Sequence, residues 1–557
     1  MTAWKTPAER AGKGGVLTEQ NQREPVALAP RGHESPSTAA PLRAWGSLAA
    51  AASRLALPDT EHAGRVVGDW RRADPRLAEL LNTGVGAAAA LDRYALMARQ
   101  EGRIADAAMA LKMAVALSPD EPGLWGNLAA ALAAADEAAG AAVAIEIGLG
   151  LDGSRVDGWI FLGSLRMAAG DDDGAEAAYG RAAELAPRRP DVWHALALSA
   201  YRRRQFAIAA ERFQASIERG DRSPLAYAHL GQTRHLIGDF AGALDAFAAA
   251  HAAQPDDDHT RHMLGLLRLM ETVPADGGDW NPDGALAAYR ATAGSAAWDA
   301  NRLLQTAFGL LSGYGRLDAA RAVGRVLLAR KPDSATLRYL MAVLGGANPD
   351  RCPDDYLIEH FDAFAETFDT QLVEVLGYRV PERLCRAIGA LIPAMGQCAT
   401  ADLGCGTGLA GPLLRPFARH LTGIDLAPRM LEKAGARGVY DDLVQAEAVS
   451  WLAARRADLD LVLAADVLIY IGDLAPLFAA AAGALRPGGL FAVSIETIAD
   501  RRGDDYRALP SGRFAHAPSH VAALAAGDFI PVHDEPTVIR LEANRPAEGR
   551  LLVFKRN

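Results

Sequence analysis

Asp402 and Asp425 lie 23 residues apart, with Gly404, Gly406 and Gly408 between them. Three glycines in five positions let the backbone take left-handed angles and let a ligand lie against bare main chain. Asp425 ends the apolar run that follows, near the separation of roughly 20 residues at which an acid meets ribose hydroxyls in nucleotide-binding sheets. It could instead only cap the next helix, whose first turn Pro428 suits. A dinucleotide fingerprint needs glycine at the sixth position of G-x-G-x-x-G, and Leu409 stands there. Asp402, two residues before the first glycine, would repel a pyrophosphate and would suit a ligand with a cationic ammonium group.

The elements that must position these groups are legible around them. A short apolar run from Cys398 ends in Asp402, a glycine turn follows, a helix is expected from about Gly408, and a second apolar run ends in Asp425. Strand, tight turn, helix and strand make the first half of a nucleotide-binding α/β sheet. The free N–H groups of such a helix would point into the same cleft. Leu443 to Glu447 reads as a third strand, and Asp460 to Asp466 as a fourth whose continuous apolar run implies burial on both faces. Leu485 to Gly489 reads as a turn leading into a fifth strand, Leu490 to Ile495, which ends in Glu496. Alternating segments at Thr537–Leu541 and Arg550–Phe554 suit a final antiparallel hairpin.

Asp402-Leu-Gly-Cys-Gly-Thr-Gly408 closely resembles the first motif of class I S-adenosylmethionine-dependent methyltransferases. The resemblance implies a Rossmann-like domain with a seven-stranded sheet and S-adenosyl-L-methionine as cofactor. Carried over position by position, it places Asp402, Gly404, Cys405, Gly406, Gly408, Asp425, Leu426 and Met430 at the cofactor, with Met430 facing the cleft. Ala446 and Glu447 stand where family members contact adenine, although Glu447 could be a surface acid. Asp466, followed by Val467 and Tyr470, belongs to the turn that lies beside the transferable methyl group in that family; it could also cap a helix beginning near Leu474.

In small-molecule members a Phe-Asp-x-x-Ala-x-x-Tyr-Asp segment precedes the first strand and closes over the cofactor. Phe361 to Asp369 is similar, with Phe368 in place of tyrosine; a lid and a plain packing helix both fit. The polar, arginine-rich stretch 499–518 carries Arg513, Phe514 and His516 at the edge where acceptor-binding loops belong. His516 is a candidate general base or a solvated bystander. Asp466 and Tyr470 are the other catalytic candidates. The sulfonium already carries the leaving group, so no metal is required, and the sequence shows no metal-ligand cluster.

Upstream lies a repeat. Trp125, Trp159, Trp193 and Tyr227 are 34 residues apart, and Leu128, Leu162, Leu196 and Leu230 keep step. Ala129, Gly163, Ala197 and Gly231 follow, then Ala141, Ala175, Ala209 and Ala243. This is the tetratricopeptide period and pattern: small residues let paired helices approach, and large ones fill the gap to the neighbour. A sixth unit is interrupted between Thr272 and Pro282, with a further helix pair and a last helix after it. The combination resembles bacterial tetratricopeptide-repeat methyltransferases over about residues 88–557, the likeness being carried by 356–369, 402–408, 464–474 and 511–516.

The expected division is a disordered segment (1–42), a helical capping region (43–87), an all-α solenoid (88–345), a linker (346–355) and the α/β domain (356–557). Net charge is −10, from 58 basic and 68 acidic side chains. The densest basic run, Arg202 to Arg204, reads as a solvated helix end, which argues against a nucleic-acid partner. No apolar run has membrane length, and four cysteines without disulfide or metal spacing fit a reducing cytoplasm. The solenoid could dock a protein or peptide, or serve assembly. The function expected is methyl transfer to an O, N or C nucleophile; the alternative is a repeat scaffold whose second domain binds the cofactor without catalysis.

Overall fold

The structure, a computed structural model, describes residues 54–294, 299–370, 372, 378–392, 396–499, 505–542 and 545–557. The segment expected to be disordered, 1–42, lies outside the described residues, as does the start of the capping region. Two compact units are distinguished. One holds residues up to 235 together with 241–255, and the other holds 236–240 with 256–557.

The first unit opens on α1 (Thr60–Ala73) and α2 (Pro75–Asn82). Repeating pairs follow: α3 (Ala87–Gln100) with α4 (Ile104–Leu117), α5 (Pro122–Ala134) with α6 (Ala138–Leu151), and α7 (Val156–Ala168) with α8 (Asp172–Leu185). Then come α9 (Pro190–Arg202) with α10 (Phe206–Glu218), and α11 (Pro224–Leu236) with α12 (Phe240–Ala253). Each repeat tryptophan reaches back six residues. The indole N–H of Trp125 donates to Pro119 O at 2.8 Å, that of Trp159 to Gly153 O at 2.9 Å and that of Trp193 to Pro187 O at 2.9 Å. The aromatic position therefore fills space and also ties down the turn before its helix. At the small-residue position, a Cβ on Gly163 would lie 2.5 Å from the Tyr179 ring, and one on Gly231 2.9 Å from Phe247. The basic run is neutralised by acids: Arg202 lies 3.3 Å from Asp172 and Arg203 3.0 Å from Asp173.

A second periodicity escapes the hydrophobic pattern. The turn inside each helix pair needs one residue in the left-handed region, and these fall at Gly102, Asp136, Gly170, Arg204 and Gly238, again 34 apart, with φ of 76°, 60°, 81°, 59° and 80°. Glycine meets the requirement without cost, whereas Asp136 and Arg204 meet it under strain.

The second unit begins with α13 (Asp258–Glu271) and α14 (Pro282–Ala293), where Ala285 and Tyr289 are buried at the expected repeat positions. It continues with α15 (Ala300–Gly313), α16 (Leu317–Arg330) and α17 (Ala335–Leu344). Residues 346–355, a linker by composition, are pinned: Cys352 is buried, its N–H donates to Tyr470 O at 2.9 Å, and Gly472 N–H donates to Asp350 O at 2.8 Å. Then come α18 (Asp354–Phe364) and α19 (Val380–Gly389).

The sheet is built from β1 (Cys398–Leu403), β2 (Ala418–Asp425), β3 (Asp442–Gln445), β4 (Leu459–Ala464) and β5 (Leu485–Thr497), with β6 (Tyr506–Ala508), β7 (Phe514–His516), β8 (Phe529–Glu542) and β9 (Arg545–Arg556). Strands β1 to β5 are parallel in the order β3-β2-β1-β4-β5, and β9 joins β5 antiparallel with β8 outside it. These make the seven expected strands. The short β6–β7 ribbon comes in addition, so the described sheet has nine. Glu496 pairs with Gly549 of β9 on one edge and with Ala515 of β7 on the other, so β7 continues the edge of β5 that β4 leaves after Val493.

Two local expectations are corrected. The helix after the glycine turn is only α20 (Gly411–Leu414), because Pro416 has no N–H with which to extend the helical ladder. Leu485 to Gly489 is part of β5 rather than a separate turn, the irregularity being absorbed by a register shift against β4 and by Gly488 at φ 83°. The remaining helices are α21 (Pro428–Ala436), α22 (Ala448–Ala453), α23 (Ala475–Ala484) and α24 (Pro518–Ala525).

Trp125 is fully buried, so Trp125→Ala will destabilise the first unit by about 3–5 kcal/mol. Asp136→Gly will stabilise it by up to about 1 kcal/mol by removing left-handed strain. Both are read from chemical denaturation followed by far-ultraviolet circular dichroism.

Candidate functional site

One cavity of about 370 Å³ opens at the carboxyl ends of β1, β2 and β4. Its floor is the glycine turn. Gly404, Gly406 and Gly408 all take positive φ (59°, 54° and 84°), and a Cβ on Gly404 would lie 2.6 Å from Val467. Asp402, Gly404, Cys405, Gly406, Asp425, Leu426, Ala446, Glu447, Asp466 and Tyr470 all line this space. Residues from four strand ends thus converge, as the crevice of a parallel sheet requires.

Two placements differ from expectation. Gly408 does not line the cavity; its hydrogen is needed because a Cβ would meet the Tyr440 ring at 3.0 Å. Met430 does not face the cleft either. It packs with Ala365 and Ala427 under Phe361 and Phe368, because α21 turns its apolar face toward the aromatic segment.

Asp402 is buried, and the Tyr440 hydroxyl donates to its Oδ2 at 2.7 Å. Burial pushes its carboxyl up to about 7, against the Tyr440 hydrogen bond and with the help of nearby Asp425. Asp425 accepts Gly406 N–H at Oδ2 (2.9 Å) and Ala427 N–H at Oδ1 (2.8 Å). Burial raises its carboxyl too, in spite of these backbone donors. Each of its oxygens keeps a lone pair for a ligand hydroxyl. The acid therefore fixes the glycine turn and remains able to bind.

Glu447 caps α22, accepting Val449 N–H at 2.9 Å and Ser450 N–H at 2.7 Å. Burial works to raise its carboxyl, and the backbone donors outweigh that, leaving it below the usual range. Asp466 stands at φ 58°, its N–H donating to Ser494 Oγ at 2.8 Å and its Oδ1 accepting the same hydroxyl at 2.9 Å. Arg540 lies 3.2 Å from its Oδ2. The helix near Leu474 is served by Asp473, which accepts Ala475 N–H at 2.9 Å, so Asp466 is not its cap. Tyr470 closes a short 3₁₀ turn (Leu468–Tyr470), and Phe361 meets its ring edge-on at 5.4 Å.

His516 is the clearest correction. It lies on β7 rather than on a polar loop, is fully buried, sits 2.8 Å through Nε2 from Ile471 O, and does not line the cavity. Burial lowers its imidazole to about 4 in spite of the backbone partners. All three residues of the strand, Phe514, Ala515 and His516, are buried, between β5 and β6.

The aromatic segment forms the opposite wall. Leu357, His360, Phe361, Phe364 and Phe368 line the cavity from α18 and the turn after it. The segment is fastened to the glycine turn, since Thr407 Oγ1 donates to Asp369 and Arg437 lies 2.5 Å from the same carboxylate. Lys433 bonds Glu366 at 2.7 Å. The segment is thus packed against the glycine turn and α21 while lining the cavity.

Tyr440, His360, Tyr378 and Arg540 were missed by sequence reasoning. Only Arg540 carried a signal, as the one charge within the alternating segment Thr537–Leu541. It is buried between Asp466 and Glu496, where removing one partner would strand a charge.

Residues 401–493 match the family described as "Methyltransferase domain", and residues 156–199 match "Tetratricopeptide repeat". A ubiquinone biosynthesis O-methyltransferase of Methylobacterium sp. (strain 4-46) is 39% identical over 95 residues, 16% of this chain and 37% of that protein. A trans-aconitate 2-methyltransferase of Methylobacterium radiotolerans is 36% identical over 109 residues, 19% of this chain and 41% of that protein. The chain thus spans about two fifths of the length of the curated relatives it matches. The N-methyltransferase NodS from Bradyrhizobium japonicum WM9, solved in complex with S-adenosyl-L-homocysteine, aligns at 18% identity with a TM-score of 0.29, covering 36% of this chain and 98% of its own.

The fold and the site define a class I methyltransferase domain. Residues 401–493 are a methyltransferase domain and residues 156–199 a tetratricopeptide repeat, and the cofactor that goes with this domain is S-adenosyl-L-methionine. The residues present fit the cofactor: the acids at the glycine turn supply negative charge for a cationic amino-acid end and acceptors for ribose, and bare backbone lies between them. Among the described residues, no helix is long and apolar enough to cross a membrane.

A carboxyl raised by folding costs stability as it ionises. Asp402 titrates near 3.8 when unfolded and at about 7 when folded, so the stability it supplies is full below the lower value and lost as pH rises through the upper. Asp402→Asn will therefore raise the melting temperature of the ligand-free protein at about pH 8 and leave it little changed at about pH 4. Differential scanning calorimetry at the two pH values checks this.

Proposed function

We propose that the chain transfers the methyl group of S-adenosylmethionine to an O, N or C nucleophile, and that the repeats serve as a docking or assembly surface. The observation that carries this reading is the pair of acids, buried Asp402 and half-buried Asp425, set on either side of a glycine turn at one cavity mouth. When bound, the cofactor supplies an electrophilic methyl on a sulfonium, which needs no further activation of the leaving group.

The chain's own residues then have three tasks. Asp425, with Glu447 near the adenine end, holds the nucleoside through charged acceptors. Asp402, kept partly ionised by the Tyr440 hydroxyl, faces the cationic amino-acid end. Phe361, Phe364 and Phe368 exclude water, and Tyr470, Asp466 and the strand-four turn align the acceptor with the methyl–sulfur bond. Asp466 is held ion-paired by Arg540 and hydrogen-bonded by Ser494, which suits orientation better than proton abstraction. His360 lines the same space, and burial together with Arg513 lowers its imidazole to about 4, so it is neutral near neutral pH. A cytoplasmic setting belongs to this reading, since Cys352, Cys385, Cys398 and Cys405 are all unbridged and buried.

Asp425→Ala will weaken S-adenosylhomocysteine binding by more than about tenfold, because buried hydroxyls lose a charged acceptor and the glycine turn loses its brace. Isothermal calorimetry on the full chain reads the change. Unaltered affinity would remove Asp425 from the site.

A further inference from the structure

We infer that the last repeat helices are a working part of the acceptor subsite, with Tyr339 and Ser312 as positioning residues for the hairpin that presents Arg513 to the cavity. This rests on the methyl-transfer reading above.

The geometry is continuous. Arg513 lines the cavity, and its Nε lies 3.3 Å from Glu496 at the end of β5. The residue follows the tip of the β6–β7 hairpin, and that tip is held from the helical side. Ser312 on α15 donates its hydroxyl to Pro510 O at 3.1 Å, and Tyr339 on α17 donates to Gly512 O at 3.0 Å. Gly512 takes φ 82°, and a Cβ there would meet Leu340 at 2.7 Å and Tyr339 at 3.3 Å, so the tip lies directly on α17. Cys352, itself a lining residue, donates its thiol to the Tyr339 oxygen at 3.1 Å. The segment before α18 grips the other arm: Asn348 Oδ1 accepts Ala508 N–H at 2.6 Å, and Tyr506 donates to Asp350 at 2.8 Å.

On its far side the hairpin pairs with β5 through Glu496 and Thr497, and Ile498 N–H donates to His516 O at 3.1 Å. A ribbon of two three-residue strands is marginal alone. The two hydroxyls supplied by the repeats hold its tip, together with the Cys352 thiol 3.4 Å from Gly512 O and the turn's own Leu509 N–H, which donates to Arg513 O at 2.7 Å; Glu496 holds the Arg513 guanidinium. Tyr339 and Ser312 touch no reacting atom; they act through the backbone of residues 510–513.

The test uses the full chain and Tyr339→Phe, which keeps the ring and removes the hydroxyl. Amide exchange across residues 506–516 should rise about fivefold or more in the variant. S-adenosylhomocysteine affinity by calorimetry should stay within about twofold. With methyl-labelled S-adenosylmethionine and dilutions of extract from the source cells as acceptor pool, half-maximal labelling should need several-fold more extract while the plateau is kept. Faster exchange with an unchanged extract requirement would make Tyr339 merely structural and overturn the inference, as would unchanged exchange. A wild-type chain that binds S-adenosylhomocysteine yet labels nothing would defeat the methyl-transfer reading and this inference with it; labelling that Tyr339→Phe leaves untouched defeats the inference alone.

Discussion

The site depends on keeping negative charge where water cannot reach it. Asp402 is buried at the end of β1 with the Tyr440 hydroxyl as its hydrogen-bond partner, and Asp425 is held nearby by two backbone N–H groups. Among the described residues neither acid is paired with a basic side chain, and burial lifts both carboxyls. An arrangement that costs stability is retained when a ligand returns the energy on binding. A ligand with a positive amino-acid end and a hydroxyl-bearing sugar does so; one with a pyrophosphate does not.

Around that charge the scaffold is rigid. The glycine turn is braced from above by Asp425 and from the side by Asp369 and Arg437 through Thr407. The wall near the strand-four turn is a cluster of charges, Asp466–Arg540–Glu496–Arg513, buried where β5 passes beyond β4. Such a cluster holds its members in fixed positions, since removing any one leaves another uncompensated. The two acids at the glycine turn and the charges beside the strand-four turn thus differ: the first are held by a hydroxyl and backbone N–H groups, the second by ion pairs with one another.

The sequence carried the fold because both halves are periodic. A 34-residue repeat and a strand–glycine–helix alternation are patterns of residue type, and burial follows them closely: Trp125, Leu128, Ala129, Leu162 and Ala197 are all inside. The lining residues Asp402, Asp425, Ala446, Glu447 and Asp466 were legible for the same reason, since they lie at strand ends or within two residues beyond them, where the crevice is. Side chains that arrive from between elements were not. Tyr440 sits in the loop between α21 and β3, His360 is one aromatic among several, and neither has a spacing that marks it. His516 misled because a polar, arginine-rich context hides a strand of three residues. Gly408 and Met430 misled because position in a motif does not reveal which neighbour a residue serves. The left-handed positions at 102, 136, 170, 204 and 238 were invisible as a set, because Asp136 and Arg204 replace the glycine that would have marked the period.

The most direct measurement is a calorimetric comparison, on the full chain near neutral pH, of S-adenosylmethionine with a nicotinamide dinucleotide. The account predicts that the sulfonium nucleoside binds tighter by at least about a hundredfold, roughly 2.7 kcal/mol. Comparable affinity for the dinucleotide, or uptake of the dinucleotide with none of the nucleoside, would contradict the claim that buried acid selects the ligand.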